Sequence, residues 1–190
     1  MAFDNIEIEI KIEVTEDVFH QTKQHLQEIA TRKGTKQQLD RYFSTKQEGY
    51  LGSEKYPYKW LSIRERGDVK ILNYKHYYPE GEEKHQYCDE FECEISNPKM
   101  LAKILSALGA EEIALVKKKR ETFVFKDEFE IVLDQVDDLG FFIEVEAIKN
   151  QGGIEATRKK VENFINSINI GQYRTDYRGY PYLVFQKTKK

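Results

Sequence analysis

The sequence has few cysteines, prolines and tryptophans, and it lacks any long apolar run. It contains 2 Cys, 4 Pro and 1 Trp in 190 residues. Cys88 and Cys93 lie on one expected strand at an odd spacing, so their side chains point to opposite faces and cannot form a disulfide with each other. No apolar segment approaches the roughly 20 residues that cross a membrane, and none resembles a secretion signal. We therefore expect a soluble, cytoplasmic protein with reduced cysteines.

Acidic and basic residues almost balance, with 33 Asp and Glu against 30 Lys and Arg. The longest basic run is Lys117–Arg120. Strand alternation divides these residues between two faces, so no exposed face gathers enough cations to hold a nucleic-acid backbone. We expect no nucleic-acid partner and no membrane partner. The length suits a single domain over residues 1–190.

Alternating apolar and polar residues predict a β-rich fold with three amphipathic helices. In the first strand, isoleucines at every second position face one side and charged residues face the other. We expect Thr15 to cap the first helix, Gly34 to end it, and the tail from Tyr173 to be irregular. The expected strands cover about 5–14, 38–45, 59–66, 69–77, 85–95, 113–126, 129–136 and 140–148, and the expected helices about 16–32, 98–108 and 154–168.

The charged faces of these strands are segregated by sign. The acidic groups are Glu7, Glu9, Glu90, Glu92, Glu94, Asp134, Glu144 and Glu146. The basic groups are Lys11, Arg64, Arg66, Lys75, Lys118 and Arg120. A divalent cation between paired carboxylates, or a phosphate between paired cations, removes the repulsion that like neighbours on a sheet create. For any single strand a solvated charged face remains the alternative, but the whole set favours a site for metal and phosphate.

The apolar faces of the strands need a cover, and the three amphipathic helices can provide it. If the helices lie outside, the charged faces point inward. A closed barrel of about eight strands has an interior that holds side chains or one small ligand. We therefore expect an α+β fold, a closed eight-stranded antiparallel β-barrel with a polar lumen and α-helices packed outside. Such a lumen suits a metal-bound polyphosphate.

Several segments resemble, in order along the chain, the motifs of one superfamily. They are Glu7-Ile-Glu-Ile-Lys11, Asp40-Arg-Tyr-Phe43, Leu61-Ser-Ile-Arg-Glu-Arg66, Leu72-Asn-Tyr-Lys75, Asp89-Glu-Phe-Glu92, Lys118-Lys-Arg120, Leu133-Asp-Gln-Val136 and Leu139-Gly-Phe-Phe-Ile-Glu-Val-Glu146. The first matches the ExExK signature, and the others cover nearly all of the remaining chain. The sequence resembles the CYTH superfamily of triphosphate tunnel metalloenzymes, and within it the branch similar to class IV adenylyl cyclases.

The resemblance implies a tunnel barrel, a triphosphate substrate and a cofactor of Mg²⁺ or Mn²⁺, the ions that carboxylate oxygens suit. The residues that it assigns to triphosphate binding are Lys11, Arg64, Arg66, Lys75, Lys118 and Arg120. Of these, Lys11, Lys75 and Arg120 are the expected catalytic residues. The residues that it assigns to the metal are Glu7, Glu9, Glu92, Asp134, Glu144 and Glu146.

The branch of the family that the chain resembles implies conversion of ATP to cyclic AMP and pyrophosphate. Two alternatives stay open: a triphosphatase acting on thiamine triphosphate, inorganic triphosphate or a nucleotide, and a nucleotide-binding barrel without turnover. Ser62 and Cys88 stand where many relatives have Arg. Fewer cations would weaken or shift the hold on the polyphosphate, so these two departures bear on which substrate binds. The number of metals and a homodimer are also left open.

Overall fold

The computed structural model describes residues 5–168, 170–171, 173–175 and 177–188. In these residues groups of one to four strands are separated by single helices. The strands are β1 (Ile6–Glu7), β2 (Glu9–Val14), β3 (Thr31–Ser44), β4 (Lys59–Arg66), β5 (Val69–Tyr78), β6 (Tyr87–Glu94), β7 (Glu111–Phe125), β8 (Phe129–Val136), β9 (Gly140–Ala147) and β10 (Arg174–Thr175). The helices are α1 (Glu16–Ile29), α2 (Pro98–Ala107), α3 (Ile154–Ser167) and α4 (Gly179–Thr188).

This antiparallel arrangement with helices confirms the expected α+β class, but the strand count differs. The described residues form ten strands, against the eight expected. The first expected strand divides into β1 and β2 at Ile8, and β10 is a two-residue strand in the tail. The closure of the strands into a barrel stays a prediction. No helix in the described parts of the chain is both long and apolar enough to cross a membrane.

The chain forms two compact units, and β3 and β7 each pass from one unit into the other. The first unit comprises Met1–Lys36 and Lys118–Tyr177, and the second comprises Gln37–Lys117 and Arg178–Lys190. Each unit contains part of the antiparallel strand system, and each has its own apolar core.

In the first unit, neighbouring strands follow the order β7-β8-β9-β2-β10, and every neighbouring pair is antiparallel. One face of these strands is apolar, because the isoleucines of β2 alternate with charged residues. Helices α1 and α3 supply the other side of the core, chiefly through Leu26 and Ile165. The fully buried residues of this core include Ile12, Leu26, Phe123, Ile131, Leu133, Ile143, Val145, Val161 and Ile165.

The start of α1 follows the sequence prediction, whereas its end does not. Thr15 is the N-cap, and its Oγ1 accepts a hydrogen bond from Val18 N at 3.4 Å. The helix ends at Ile29, because Ala30 adopts extended backbone angles and Thr31 begins β3. The prediction that Gly34 ends the helix is therefore wrong, and Gly34 lies inside the strand. The strand β3 begins at Thr31, seven residues before its expected start.

In the second unit, the order is β3-β4-β5-β6, again antiparallel throughout. Helix α2 begins at Pro98 with Asn97 as its N-cap, whose Oδ1 accepts from Met100 N at 2.9 Å. It covers an apolar patch that includes Phe43 and Ile63. The expectation of an irregular tail is wrong, since α4 occupies it and buries Tyr180. A short aromatic-rich helix has too weak a periodicity to be recognised from sequence alone.

Candidate active site

The first group of charged residues lies on the polar face of the first unit. Strand register places Lys11 opposite Glu144 and Glu9 opposite Glu146. Because side chains alternate along a strand, these residues point away from the core that Ile10 and Ile12 enter. The alternation that makes one face apolar thus gathers the charges on the other.

Three carboxylates of this face come close enough to share a cation. One oxygen from each of Glu7, Glu9 and Glu144 lies within 4.8 Å of the other two. Glu7 and Glu144 are buried, so water screens their mutual repulsion poorly. Carboxylate oxygens are the ligands that Mg²⁺ and Mn²⁺ prefer. The three carboxylates therefore fit the expected divalent cation. Among the described residues, Glu146 is opposite Glu9 in the strand register but does not belong to this group of three.

Lys11 adds a positive charge beside these carboxylates. Its Nζ lies 3.1 Å from Glu144 Oε2 and 3.6 Å from Glu9 Oε1. The ammonium group offers three donors on a flexible stem. It can therefore exchange a carboxylate for a phosphate oxygen without rearrangement of the backbone.

Arg120 and Asp134 form a buried bidentate pair next to the three carboxylates. Arg120 donates from Nε and Nη2 to Asp134 at 2.7 and 2.5 Å. The same Nη2 lies 3.4 Å from Glu144 Oε2, and Lys118 Nζ lies 3.7 Å from Asp134 Oδ2. Burial alone would raise the pKa of Asp134, but Arg120 and Lys118 outweigh it and the pKa is lowered. Asp134 is thus an anion that orients a guanidinium, and its expected role as a metal ligand stays a prediction.

A second group of charges lies in the second unit, around Arg64. Arg64 Nη1 donates to Glu90 and Glu92, each at 3.2 Å, and its Nε donates to Ser62 Oγ at 3.1 Å. Asn73 Nδ2 donates to Glu90 at 2.6 Å and to Glu92 at 3.1 Å. Cations on both sides of Arg64 complete the group: Lys75 Nζ lies 3.5 Å from Glu90, and Arg66 Nη2 lies 3.7 Å from Glu92.

Arg64 remains a cation although it is only 8% exposed. Burial by itself would lower the pKa of Arg64, but Tyr42 and the carboxylates of Asp40, Glu90 and Glu92 together outweigh that effect and the net pKa is raised. An incoming polyanion can compete with those carboxylates for the same donors. The second unit therefore gathers three cations, Arg64, Arg66 and Lys75, each beside a carboxylate.

The two units thus contain all of the residues predicted from sequence, in two separate sets. The first set contains Glu7, Glu9, Lys11, Lys118, Arg120, Asp134, Glu144 and Glu146, and the second contains Arg64, Arg66, Lys75 and Glu92. Sequence reasoning did not assign Asp40, Asn73 or Glu90 to triphosphate or metal binding. Glu90 contacts both Arg64 and Lys75, Asn73 donates to Glu90, and Asp40 is opposite Arg64 in the strand register. Asn73 carries no charge, so the pattern of charged residues that selected Lys75 could not find it.

Ser62 and Cys88, where many CYTH relatives have Arg, are both fully buried. Ser62 accepts from Arg64 and lies 3.5 Å from Asn73 Oδ1. The serine therefore orients the neighbouring arginine and adds no charge of its own. Both cysteines are free thiols, as expected.

Known structures share this fold. The PH1819 protein of Pyrococcus horikoshii is 24% identical, with a TM-score of 0.76 over 97% of this chain and 99% of that one. A candidate adenylate cyclase from Vibrio parahaemolyticus is 21% identical, with a TM-score of 0.69 over 94% and 97% of the two chains. HpAC1 from Hippeastrum, a candidate adenylyl cyclase with a dominant triphosphatase activity, is 15% identical, with a TM-score of 0.63 over 96% and 95%. No curated protein matches.

At such low identities the likeness to these structures concerns the fold. The comparison with protein families shows more than the fold, because the CYTH domain family matches residues 5–180. That range includes both sets of charged residues. The chain therefore belongs to the CYTH domain family.

Proposed function

We propose that this protein is a metal-dependent enzyme that converts ATP to cyclic AMP and pyrophosphate, as in class IV adenylyl cyclases. The observation that carries the proposal is the group of three carboxylates, Glu7, Glu9 and Glu144, with Lys11 beside them on the same face. A metal site next to a phosphate-binding cation is the minimum that triphosphate chemistry needs. The family and the similarity of fold to the Vibrio parahaemolyticus protein support the same reaction.

In this proposal the cofactor is Mg²⁺ or Mn²⁺, held by Glu7, Glu9 and Glu144. Glu146, which is opposite Glu9 in the strand register, is a further metal-binding residue of the proposal. When bound, the ion neutralises phosphate charge and lowers the pKa of the attacking hydroxyl. Lys11 and Arg120 contact phosphate oxygens and balance the charge that develops there.

The other cations complete the binding of the polyphosphate. Lys118 in the first unit, and Arg64, Arg66 and Lys75 in the second, are the remaining phosphate-binding residues of the proposal. The proposal also assigns Glu92 and Asp134 to metal binding. Closure of the strands into a barrel with a polar lumen belongs to the same proposal, and a crystal structure with a bound triphosphate analogue tests it.

The cyclase reaction balances within one substrate molecule. The ribose 3′ oxygen forms a bond to the α-phosphorus and loses its proton. The bond from the α-phosphorus to the bridging oxygen breaks, and pyrophosphate leaves with that electron pair. Lys11 and Arg120 act by contacting the oxygens that gain charge in this step.

A triphosphatase is the second candidate. The similarity of fold to HpAC1, which has a dominant triphosphatase activity, favours it. Here water attacks the terminal phosphorus, the bond to the bridging oxygen breaks, and orthophosphate is released. The same carboxylates and cations serve both reactions, which differ in the position of the polyphosphate relative to the metal. Thiamine triphosphate, inorganic triphosphate and nucleotides are the substrates to compare.

Product analysis with ATP and Mn²⁺ separates these functions. Cyclic AMP with pyrophosphate supports the cyclase, and ADP with phosphate selects the triphosphatase. Binding of ATP without any product under Mg²⁺ or Mn²⁺ indicates a nucleotide-binding protein instead. Lys11→Ala should abolish most turnover, whereas Lys159→Ala, which removes an exposed lysine of α3, should leave it intact.

A further inference from the structure

Two opposed residues of β3 and β4 bury polar atoms that lack a partner. Gln38 is 8% exposed. In the part of the chain that the structure describes, Gln38 Oε1 and Arg66 Nε are both buried and have no hydrogen-bond partner. Gln38 and Arg66 are also direct partners in the register of the two strands. A residue with an unpaired acceptor is therefore opposite a residue with an unpaired donor.

This pair adjoins the Arg64 group described above. At every second position along the same two strands, the following pairs are Asp40 with Arg64 and Tyr42 with Ser62. Residues two apart on a strand point to the same face, so Gln38 and Arg66 share the face on which Arg64 lies. Arg66 Nη2 is directed to Glu92 at 3.7 Å, and this contact leaves Nε for another group.

Buried polar atoms in folded proteins are almost always paired, because an unmade hydrogen bond there is costly. Arg66 Nε and Gln38 Oε1 thus point to a ligand that supplies both missing partners. A phosphate supplies only one of them. Phosphate oxygens accept hydrogen bonds, and the amide oxygen of Gln38 is also an acceptor. Gln38 therefore requires an N–H or O–H donor, which inorganic triphosphate lacks when fully ionised.

An amino group beside a ring nitrogen has the matching pattern of donor and acceptor. The amino group donates to Gln38 Oε1, and the ring nitrogen accepts from Arg66 Nε. Adenine carries this pattern, and glutamine commonly reads the adenine edge in this manner. The aminopyrimidine ring of thiamine carries the same pattern.

We propose that Gln38 and Arg66 form a subsite for an amino-substituted nitrogen heterocycle in the organic part of the triphosphate substrate. The proposal rests on the proposed function, since it assumes that the neighbouring cations bind phosphate. It assigns the enzyme an organic triphosphate, adenine-like or aminopyrimidine-like, in preference to inorganic triphosphate.

Pairs of substrates that differ only at the amino group test this subsite. ATP is compared with inosine triphosphate, in which a carbonyl replaces the amine, and thiamine triphosphate with oxythiamine triphosphate. The wild type should prefer the amino member of one pair by about tenfold or more in kcat/KM. The pair that shows the preference identifies the heterocycle. Equal kcat/KM within both pairs overturns the subsite without any variant.

Gln38→Leu removes the amide at nearly constant volume, and Gln37→Leu is the matched control on an exposed neighbouring position. In Gln38→Leu the preference should fall to near unity, while the melting temperature should not fall, because no hydrogen bond of the folded chain is lost. A preference retained in Gln38→Leu, or lost equally in Gln37→Leu, overturns the subsite while the proposed function stands. If the wild type neither binds nor turns over any triphosphate, both proposals fail.

Discussion

Arg120 and Asp134 are opposed residues of β7 and β8, and their side chains meet in a bidentate ion pair at 2.7 and 2.5 Å. Asp134 has no exposed surface, so the carboxylate depends on the guanidinium for its solvation. The pair also directs Arg120 Nη2 toward Glu144 at 3.4 Å. One structural contact thus fixes the position of a residue that we assign to catalysis.

Asp134→Asn should destabilise the protein by about 3 kcal/mol, the lower end of the range for breaking a buried ion pair. Removal of the carboxylate leaves the Arg120 guanidinium buried with a neutral partner, although Glu144 still faces it. Urea unfolding measures the change. Asp137→Asn is the control, because it makes the same change at an exposed position and should alter stability by less than about 0.5 kcal/mol.

The contribution of Asp134 to stability should depend on pH in one direction. Burial opposes ionisation, but Arg120 and Lys118 prevail, and the pKa of Asp134 is lowered in the folded state. Its stabilising effect is therefore complete above the unfolded pKa of about 3.9 and is lost as pH falls through the lower folded pKa. The gap in unfolding free energy between wild type and Asp134→Asn should be constant from pH 7 to about 5 and shrink below about 4. A gap that grows on acidification would contradict this assignment.

Much of the strand architecture was predictable from the alternation of apolar and polar residues, because a pattern of period two indicates which face of a strand is buried. The strands Lys59–Arg66 and Phe129–Val136 have the expected bounds. The long strand Thr31–Ser44 was harder, since its first half is exposed and polar. There the strand is stabilised by contacts distant in sequence, such as Arg32 Nε with Glu121 at 2.6 Å. The strand propensities of the individual residues do not report such contacts.

The charged residues of the site were predictable from the sequence. The contacts among these residues were harder to predict. Motif spacing selected the ionised residues, because like charges at every second position are unusual on a solvated strand. It gave no reason to choose Asn73, whose amide joins Glu90 to Glu92, or Gln38. Neutral amides have no charge pattern, and only the register of neighbouring strands shows what they face.

Glu9→Gln should weaken Mn²⁺ binding by at least about tenfold, because it removes one charged ligand of the three-carboxylate group. Calorimetric titration with Mn²⁺ measures this directly, and the Mn²⁺ concentration for half-maximal activity should rise in parallel. Glu128→Gln, an exposed carboxylate in the turn before β8, is the control. Unchanged Mn²⁺ affinity in Glu9→Gln, with normal folding, would remove Glu9 from the metal site.

Arg64→Lys should lower kcat/KM for the triphosphate by about tenfold or more, although the charge is retained. Lysine cannot reproduce the planar fork that donates to Ser62, Glu90 and Glu92. Steady-state kinetics measures the loss, and most of it should be a rise in KM if Arg64 binds the ground state and transition state equally. Arg41→Lys is a matched control, since Arg41 also makes a two-point contact, to Glu112, but points to the other face of β3. Equal losses in the two variants would exclude a specific role for Arg64.

Leu26→Ala should destabilise the protein by about 2–5 kcal/mol, the usual cost of truncating a fully buried leucine. Leu26 lies in α1, has no exposed surface, and packs in the core behind the strand face that carries Glu9 and Glu144. Ile104→Ala makes a similar truncation in α2, where the side chain is 49% exposed, so urea unfolding should show a change of less than about 1 kcal/mol there. If the two variants lose equal stability, then burial of the apolar face by α1 is not what stabilises this unit. The carboxylates that we propose to bind metal would then have to be positioned by contacts on their own face, and Leu26→Ala would leave Mn²⁺ affinity unchanged.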